Sequence, residues 1–228
     1  ILRWYMASRP IWGVDFFLTV NLASVLSENF TLLPYKFWNY GWFGGWPQFT
    51  YPFLTIYMTA IFARFWDLVI SAQMVAMTFS AIFILGCYFL FWRISKNIIV
   101  AAVLAVFAAL SGGVYQTVTW AGSLPSFSAQ AAFPWCLGFY IWFKDSSNLR
   151  HLLASALIAG ISIFIHPLVF MTYIVPAVII LIFTNFEKGL AIFSKIKQLT
   201  IFVLIVLVIG LPQFYTSLDF ALQSVVKP

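Results

Sequence analysis

Asp15 and His166 are the residues of this chain best placed for chemistry, because each is an ionisable group beside an otherwise apolar run. Asp15 follows "WGV" and opens the segment Val14 to Glu28. A carboxylate there serves one of two ends. It stabilises the positive end of a helix, or it acts as a general base that takes a proton from a hydroxyl at a membrane surface. His166 stands in "IFIHPLVF", between apolar arms that run from His151 to Ile165 and from Leu168 to Thr184. As one helix the two arms would extend about 51 Å at 1.5 Å per residue, far beyond the roughly 30 Å of a bilayer core, so a hairpin over 151–184 is predicted. Each arm reaches only about 25 Å, which leaves His166 in a recess short of the headgroups. An ionisable residue at that depth is a candidate contact for a phosphate or a substrate group, or else a cap for the carbonyls of the turn.

The third candidate is the stretch "WNYGWFGGWPQFTYPFL" from Trp38 to Leu54, which carries no charge. Its Gly and Pro residues break a helix, and it lacks the alternation of a strand. Trp42, Trp46, Gln48 and Tyr51 could form a platform for a sugar, whose C–H face stacks on aromatic rings. Their alternative role is anchoring in the headgroups, where an amphipathic ring has one apolar and one wet end.

These residues need a scaffold, and composition says which kind. The chain has 228 residues, 63% hydrophobic, 20% aromatic and 8% charged. A soluble domain carries about 25% charged residues. Such a composition is that of an integral membrane protein, all-α, with spans built from helices. The formal net charge of +6 is then read by position, as a report of sidedness rather than of nucleic-acid binding. Cys87 and Cys136 lie inside apolar runs and are read as packing residues. No P-loop, GxSxG elbow, Cys/His metal array or βαβ unit is present, which excludes soluble nucleotide chemistry. His151 and His166 sit at opposite ends of one arm and cannot share a metal or a haem.

About six apolar runs are counted over 68–212: Leu68 to Trp92, Ile98 to Val114, Phe127 to Phe143, the two arms of the hairpin, and Leu199 to Leu211. Arg93, Lys96, Lys144, Arg150, Lys188, Lys195 and Lys197 fall in alternate connections, which the positive-inside rule makes cytoplasmic. Residues 1–67 and the tail 213–228 then face the other side, as does the loop Tyr115 to Ser126. Within 1–67, Val14 to Glu28 reads as an amphipathic helix and Phe53 to Phe65 as a second short one, both suited to the interface. Asp67 reads first as a helix cap. Arg3, Arg9, Lys36 and Arg64 are expected to make ordinary headgroup contacts, with pairing to a lipid phosphate as the alternative, and "NFT" at Asn29 has the form of a glycosylation sequon. With no initiator Met and no leader pattern at Ile1, the chain is expected to be part of a longer one.

The pieces "GVDFF" around Asp15, "PYKFWNYGWFGGWPQFTYPFL" from Pro34 to Leu54, "GSLPSFSAQAAFP" from Gly122 to Pro134 and "ISIFIHPLVF" from Ile161 to Phe170 resemble the GT-C class of polytopic glycosyltransferases. They are most similar to a bacterial and archaeal membrane family known as 6-pyruvoyl-tetrahydropterin synthase-related. The resemblance implies a GT-C-like helix bundle in the plasma (inner) membrane, with its long first loop outside the cytoplasm. It implies an enzyme that transfers a sugar from a polyprenyl-phosphate donor to an extracytoplasmic acceptor. The acidic residue of the first external loop acts in that class as base or metal-associated carboxylate, a role that passes to Asp15 and leaves room for a divalent cation. A second acid near the next external loop is often present, and Tyr115 to Ser126 contains none. The alternative is a non-catalytic scaffold subunit that binds lipid within a larger complex. A transporter fits less well, since the spans hold almost no charge.

Overall fold

A computed structural model describes the backbone of residues 14–28, 38–39, 46–47, 53–111, 123–183 and 191–226, and side chains over 16–28, 54–111, 123–182 and 193–213. Apart from a two-residue antiparallel pairing of Trp38–Asn39 (β1) with Trp46–Pro47 (β2), the described elements are helices. They are α1 Val14–Glu28, α2 Phe53–Phe62, α3 Leu68–Ser95, α4 Ile98–Leu110, α5 Leu124–Ser146 and α6 Leu149–Ile165. Then follow α7, residues 167–183, and α8 Ala191–Val226. Apart from that pairing, the described residues adopt the all-helical class expected from composition.

Two helical stretches, Leu68–Ser95 and Phe193–Gln213, are long and apolar enough to cross a bilayer. The 28 residues of α3 extend about 42 Å at 1.5 Å each. The other expected spans are shorter or more polar: α4, α6 and the apolar part of α7 belong to the class of 10–17 residues, and α5 carries Ser126, Ser128, Gln130 and Pro134 in its first half. The last apolar run does not stop at Leu211. Helix α8 passes through Pro212 and continues to Val226, giving up the backbone hydrogen bond that Pro212 cannot donate.

Contacts divide the chain into two compact units. Ile1–Ala81, Ser111–Ser128 and Pro212–Pro228 form the first, and Ile82–Leu110 with Ala129–Leu211 the second. In the first, α1 packs on α2 through Leu22, Ala23 and Leu26 against Ile56 and Ala60. The i, i+4 spacing on both helices makes each apolar stripe continuous. Leu22, Leu26 and Ile56 are buried, each stabilising the pair by roughly 1.5–3 kcal/mol. Asn21 and Glu28 lie on the exposed side of α1. Asp67 caps α3, its Oδ1 accepting from the backbone N–H of Val69 at 2.9 Å and of Ile70 at 3.3 Å.

In the second unit the core draws Cys136 and Tyr140 from α5, Leu152 and Ile163 from α6, Ile174 and Val178 from α7, and Phe202 and Val206 from α8. Helices α3 and α5 approach closely because each offers a glycine to a ring on the other. A Cβ at Gly86 would stand 2.6 Å from the indole of Trp135, and one at Gly138 would stand 2.6 Å from the ring of Phe89. Small residues at a crossing are the usual device for packing helices in membranes, where water supplies no hydrophobic drive between them. The Trp135 indole N–H then donates to the Ile82 carbonyl at 2.8 Å, which fixes the register.

The α3–α4 and α5–α6 connections are one turn used twice. Ser95–Lys96–Asn97 and Ser146–Ser147–Asn148 each place the middle residue at positive φ, 55° at Lys96 and 54° at Ser147. Its N–H closes the preceding helix, onto Trp92 O at 2.9 Å in one case and Phe143 O at 2.8 Å in the other. The Asn that follows caps the next helix, Asn97 Oδ1 accepting from Ile99 N–H at 2.9 Å and Asn148 Oδ1 from Arg150 N–H at 3.0 Å. Glycine usually fills the left-handed position. Here non-glycine residues hold it at a cost of roughly 1 kcal/mol each, offset by the two caps.

Candidate functional site

His166 is the one residue between α6 and α7, extended at φ −165°, ψ 102°. It ends one helix and starts the next. Its N–H donates to Ser162 O at 2.8 Å, and its carbonyl accepts from Phe170 N–H at 3.2 Å. Pro167 occupies the first helical position, where the missing N–H costs nothing. The ring is half-buried, and Nδ1 accepts from Val169 N–H at 3.4 Å. The capping role is therefore real, and it differs from the expected one: the ring serves a backbone donor rather than bonding carbonyls. With Nδ1 an acceptor, the neutral ring carries its proton on Nε2. Any contact to a phosphate or hydroxyl is made by that N–H.

Beyond His166, α7 is not uniform. Pro167–Val169 is helical, Phe170–Ile174 is a π-turn in which Val175 N–H reaches back to Phe170 O, and Val175–Phe183 is α-helical again. Pro176 explains the widening. In a regular helix its ring would press on the Thr172 carbonyl, and a wider turn relieves that contact. The second arm ends close to where the first begins, because Lys144 Nζ, just ahead of α6, reaches Leu181 O at 3.4 Å.

Asp15 lies in the first turn of α1, since the helix starts at Val14; its side chain is outside the described residues. Trp46 is in β2, its backbone paired with Asn39. Trp42, Gln48 and Tyr51 lie outside the described residues, as do Asn29, Arg3, Arg9 and Lys36. Asp67 is committed to capping α3. Among the described residues no group of three His, Cys, Asp or Glu could hold a metal ion. His151 is at the start of α6 and His166 at its end, about 22 Å apart along the axis at 1.5 Å per residue. Cys87 and Cys136 are free and buried. Ser155 donates to Cys136 O at 2.8 Å, so in their 3.4 Å contact the Cys136 thiol is the donor.

A polar cluster that the sequence does not announce stands at the Lys144 end of the second unit. Arg93 Nη2 donates to Asp145 Oδ2 at 2.9 Å, and Lys96 Nζ binds the same oxygen. The Lys96 hydrogen bond, outweighing partial burial, holds the Asp145 carboxyl below the usual carboxylate range, with the charges of Lys96 and Arg93 adding to it. The Arg93 guanidinium lies 4.8 Å from the centre of the Trp142 ring, a cation–π geometry. The His151 ring stacks on Trp142 at 4.0 Å and 19°, and its Nδ1 shares a 2.8 Å hydrogen bond with Ser146 Oγ. The repeated serine-to-asparagine turn, at 95–97 and again at 146–148, is the signal from which this pairing of loops could have been found.

No curated protein and no solved structure matches the chain. Residues 46–218, well over half of it, match the family described as "6-pyruvoyl-tetrahydropterin synthase related domain; membrane protein". That match takes in the Trp46 segment, the His166 junction and both helices able to cross a bilayer, and the chain belongs to this family of membrane proteins.

Proposed function

We propose that the chain is a glycosyltransferase-like protein of the plasma (inner) membrane that passes a sugar from a polyprenyl-phosphate donor to an acceptor outside the cytoplasm. The observation that carries this reading is the position of Asp15. Because α1 begins at Val14, Asp15 falls inside the first turn and not at the capping position. The dipole at a helix N-terminus favours negative charge in the first turn, which suits a base. In the proposed reaction Asp15 takes the proton of an acceptor hydroxyl while that oxygen bonds to the anomeric carbon. The bond from that carbon to the donor phosphate breaks, and the lipid phosphate leaves with the electron pair. His166 is assigned, independently, a phosphate or substrate hydrogen bond through its Nε2 N–H. Trp42, Trp46, Gln48 and Tyr51 are assigned the sugar platform, and a divalent cation beside Asp15 remains part of the reading.

The test is turnover of a polyprenyl-phosphate sugar by the full-length protein in lipid, native against Asp15→Asn in equal amounts. A loss of about a hundredfold or more is expected, within the range for a general base. Equal rates, or none in either, overturn the proposal. They favour the second reading, a non-catalytic membrane scaffold subunit that binds lipid. Its support is that Tyr115 to Ser126 contains no acid and that Asp67 is spent as a helix cap. Copurification of stoichiometric partners unaffected by Asp15→Asn would establish it.

A further inference from the structure

Helix α7 leaves main-chain carbonyls without donors just past the His166 junction. Across the π-turn, Val175 N–H goes to Phe170 O. The regular helix resumes at Val175, which commits Val178 N–H to its i−4 partner, Ile174 O. The carbonyls of Met171, Thr172 and Tyr173 then have one helix N–H between them, that of Ala177, because residue 176 is a proline. A proline alone frees one carbonyl, as Pro212 does inside α8. The π-turn adds a second within the same stretch.

A freed carbonyl in a membrane helix is met by a neighbouring helix, by a hydroxyl of its own helix or by water. No neighbouring helix covers this turn: Met171 is 56% exposed and Tyr173 54%, and Thr172 and Pro176 are exposed as well. The hydroxyl at hand is spent, Thr172 Oγ1 donating to Leu168 O at 2.8 Å. Hydrocarbon offers no donor, and each unmet carbonyl in it costs several kcal/mol. Water is what remains. We propose that the face of α7 at Thr172 and Pro176 lines a water-filled cleft, a site for solutes that donate hydrogen bonds. Phe170 is four residues past His166, about 6 Å along the helix at 1.5 Å per residue, so the cleft adjoins that junction. His166 donates through its Nε2 N–H, whereas the carbonyls only accept. A hydroxyl group, which does both, fits the two together, and a bare anion fits the histidine alone. The cleft does not depend on sugar transfer.

The test attaches a nitroxide spin label to the full-length protein in lipid vesicles, at Thr172→Cys and, for comparison, at Leu85→Cys. Leu85 is 57% exposed and lies on α3, which contains no proline. Native Cys87 and Cys136 are buried, and the native chain taken through the same labelling supplies the background. Power saturation of the spectra reads collisions with oxygen, which concentrates in hydrocarbon, and with a water-soluble nickel chelate. Nickel collisions are expected to exceed oxygen collisions at 172 and to fall severalfold below them at 85. Oxygen prevailing at 172 would put that face in lipid, and low values for both reagents would put protein over it. Either result overturns the proposal. Pro176→Ala returns one N–H to the turn and should lower nickel collisions at 172, with circular dichroism restricting the comparison to folded variants. Nickel access unchanged by Pro176→Ala would remove the carbonyls as its cause and overturn the proposal too.

Discussion

The first unit buries Thr19, Thr55, Thr59, Ser71, Ser80, Ser123, Ser128 and Gln213 among its described residues, whereas the second buries only Ser155 and Ser162. The two also satisfy polar groups differently. In the first, hydroxyls turn back onto their own helices, Thr59 onto Thr55 O at 2.9 Å, Ser71 onto Asp67 O and Ser80 onto Ala76 O, both at 2.8 Å. Thr55 Oγ1 and Ser128 Oγ have no hydrogen-bond partner among the described residues. In the second, Ser162 likewise turns back onto Ala159 O at 2.6 Å and Arg93 Nε is left unsatisfied, but further polar bonds run between helices: Trp135 to Ile82, Ser155 to Cys136, Tyr140 to Gln198, Arg93 to Asp145. A bond between helices fixes a packing, while a bond back to the same helix leaves the partner helix unspecified and the second lone pair open. The second unit, with the bonds between helices, is expected to be the more rigid. The first, which contains α1 with Asp15, keeps more of its buried polar groups on hydroxyls that bond within one helix or to nothing described.

The sharpest way to break this comparison is at the α3–α5 crossing. Gly86→Ala would drive a methyl to 2.6 Å from the Trp135 indole and 2.9 Å from the Pro134 ring. Overpacking of this kind costs about 1–3 kcal/mol, and unfolding of the full chain in detergent should show it as a lowered midpoint. A midpoint equal to native would mean the crossing is loose and the second unit no more rigid than the first.

A smaller effect separates the capping role of His166 from the contact proposed for it. His166→Ala removes the Nδ1 acceptor from Val169 N–H and should cost about 1 kcal/mol, the usual worth of a helix cap. Asn caps well, so His166→Asn should unfold close to native. Asn has no group in the place of the Nε2 N–H, so if that N–H meets a phosphate or a substrate, His166→Asn loses turnover while keeping stability. Equal turnover in native and Asn would leave His166 as a cap alone.

The buried hydroxyls test the comparison directly. Ser155→Ala breaks two bonds between α5 and α6 and should cost about 1 kcal/mol. Thr55→Val removes a hydroxyl that bonds to nothing and should be neutral or slightly stabilising. A Thr55→Val loss as large as that of Ser155→Ala would remove the distinction between the units.

How far such differences were legible beforehand depends on their range. Helix starts and lengths follow from runs of like residues, so α3, α4, α6 and the Asp67 cap could be read from neighbouring letters. The junction at His166 was legible because Pro167 forbids continuation of α6. Pro212 misled the reading of the end of the last run, because a proline inside a long apolar helix costs less than ending the helix would. The π-turn before Pro176 was not foreseen, since apolar periodicity does not distinguish five-residue from four-residue closure. The cluster of Arg93, Trp142 and His151 was hidden because its members meet only when two helical hairpins pack. Trp42, Gln48 and Tyr51, named from composition of their segment, keep the standing that composition gives them.

The smallest expected effect is at Asp145, the acid described at the Lys144 end of the second unit. Its folded carboxyl lies below the ordinary range, chiefly through the Lys96 hydrogen bond, so it binds protons less readily folded than unfolded. Its stabilisation is therefore fully present above the unfolded pKa of about 3.9 and fades as pH falls through the depressed folded value. The side chain is 39% exposed, and solvent screening holds the contribution under about 1 kcal/mol. Unfolding of native and Asp145→Asn chains should differ by that small amount at pH 7 and converge as pH drops below 4. Salt should shrink the gap at neutral pH in the same way. A gap that survives both acid and salt would place the worth of Asp145 in packing against Arg93 and Trp142, making this end of the second unit rigid for the same reason as its core.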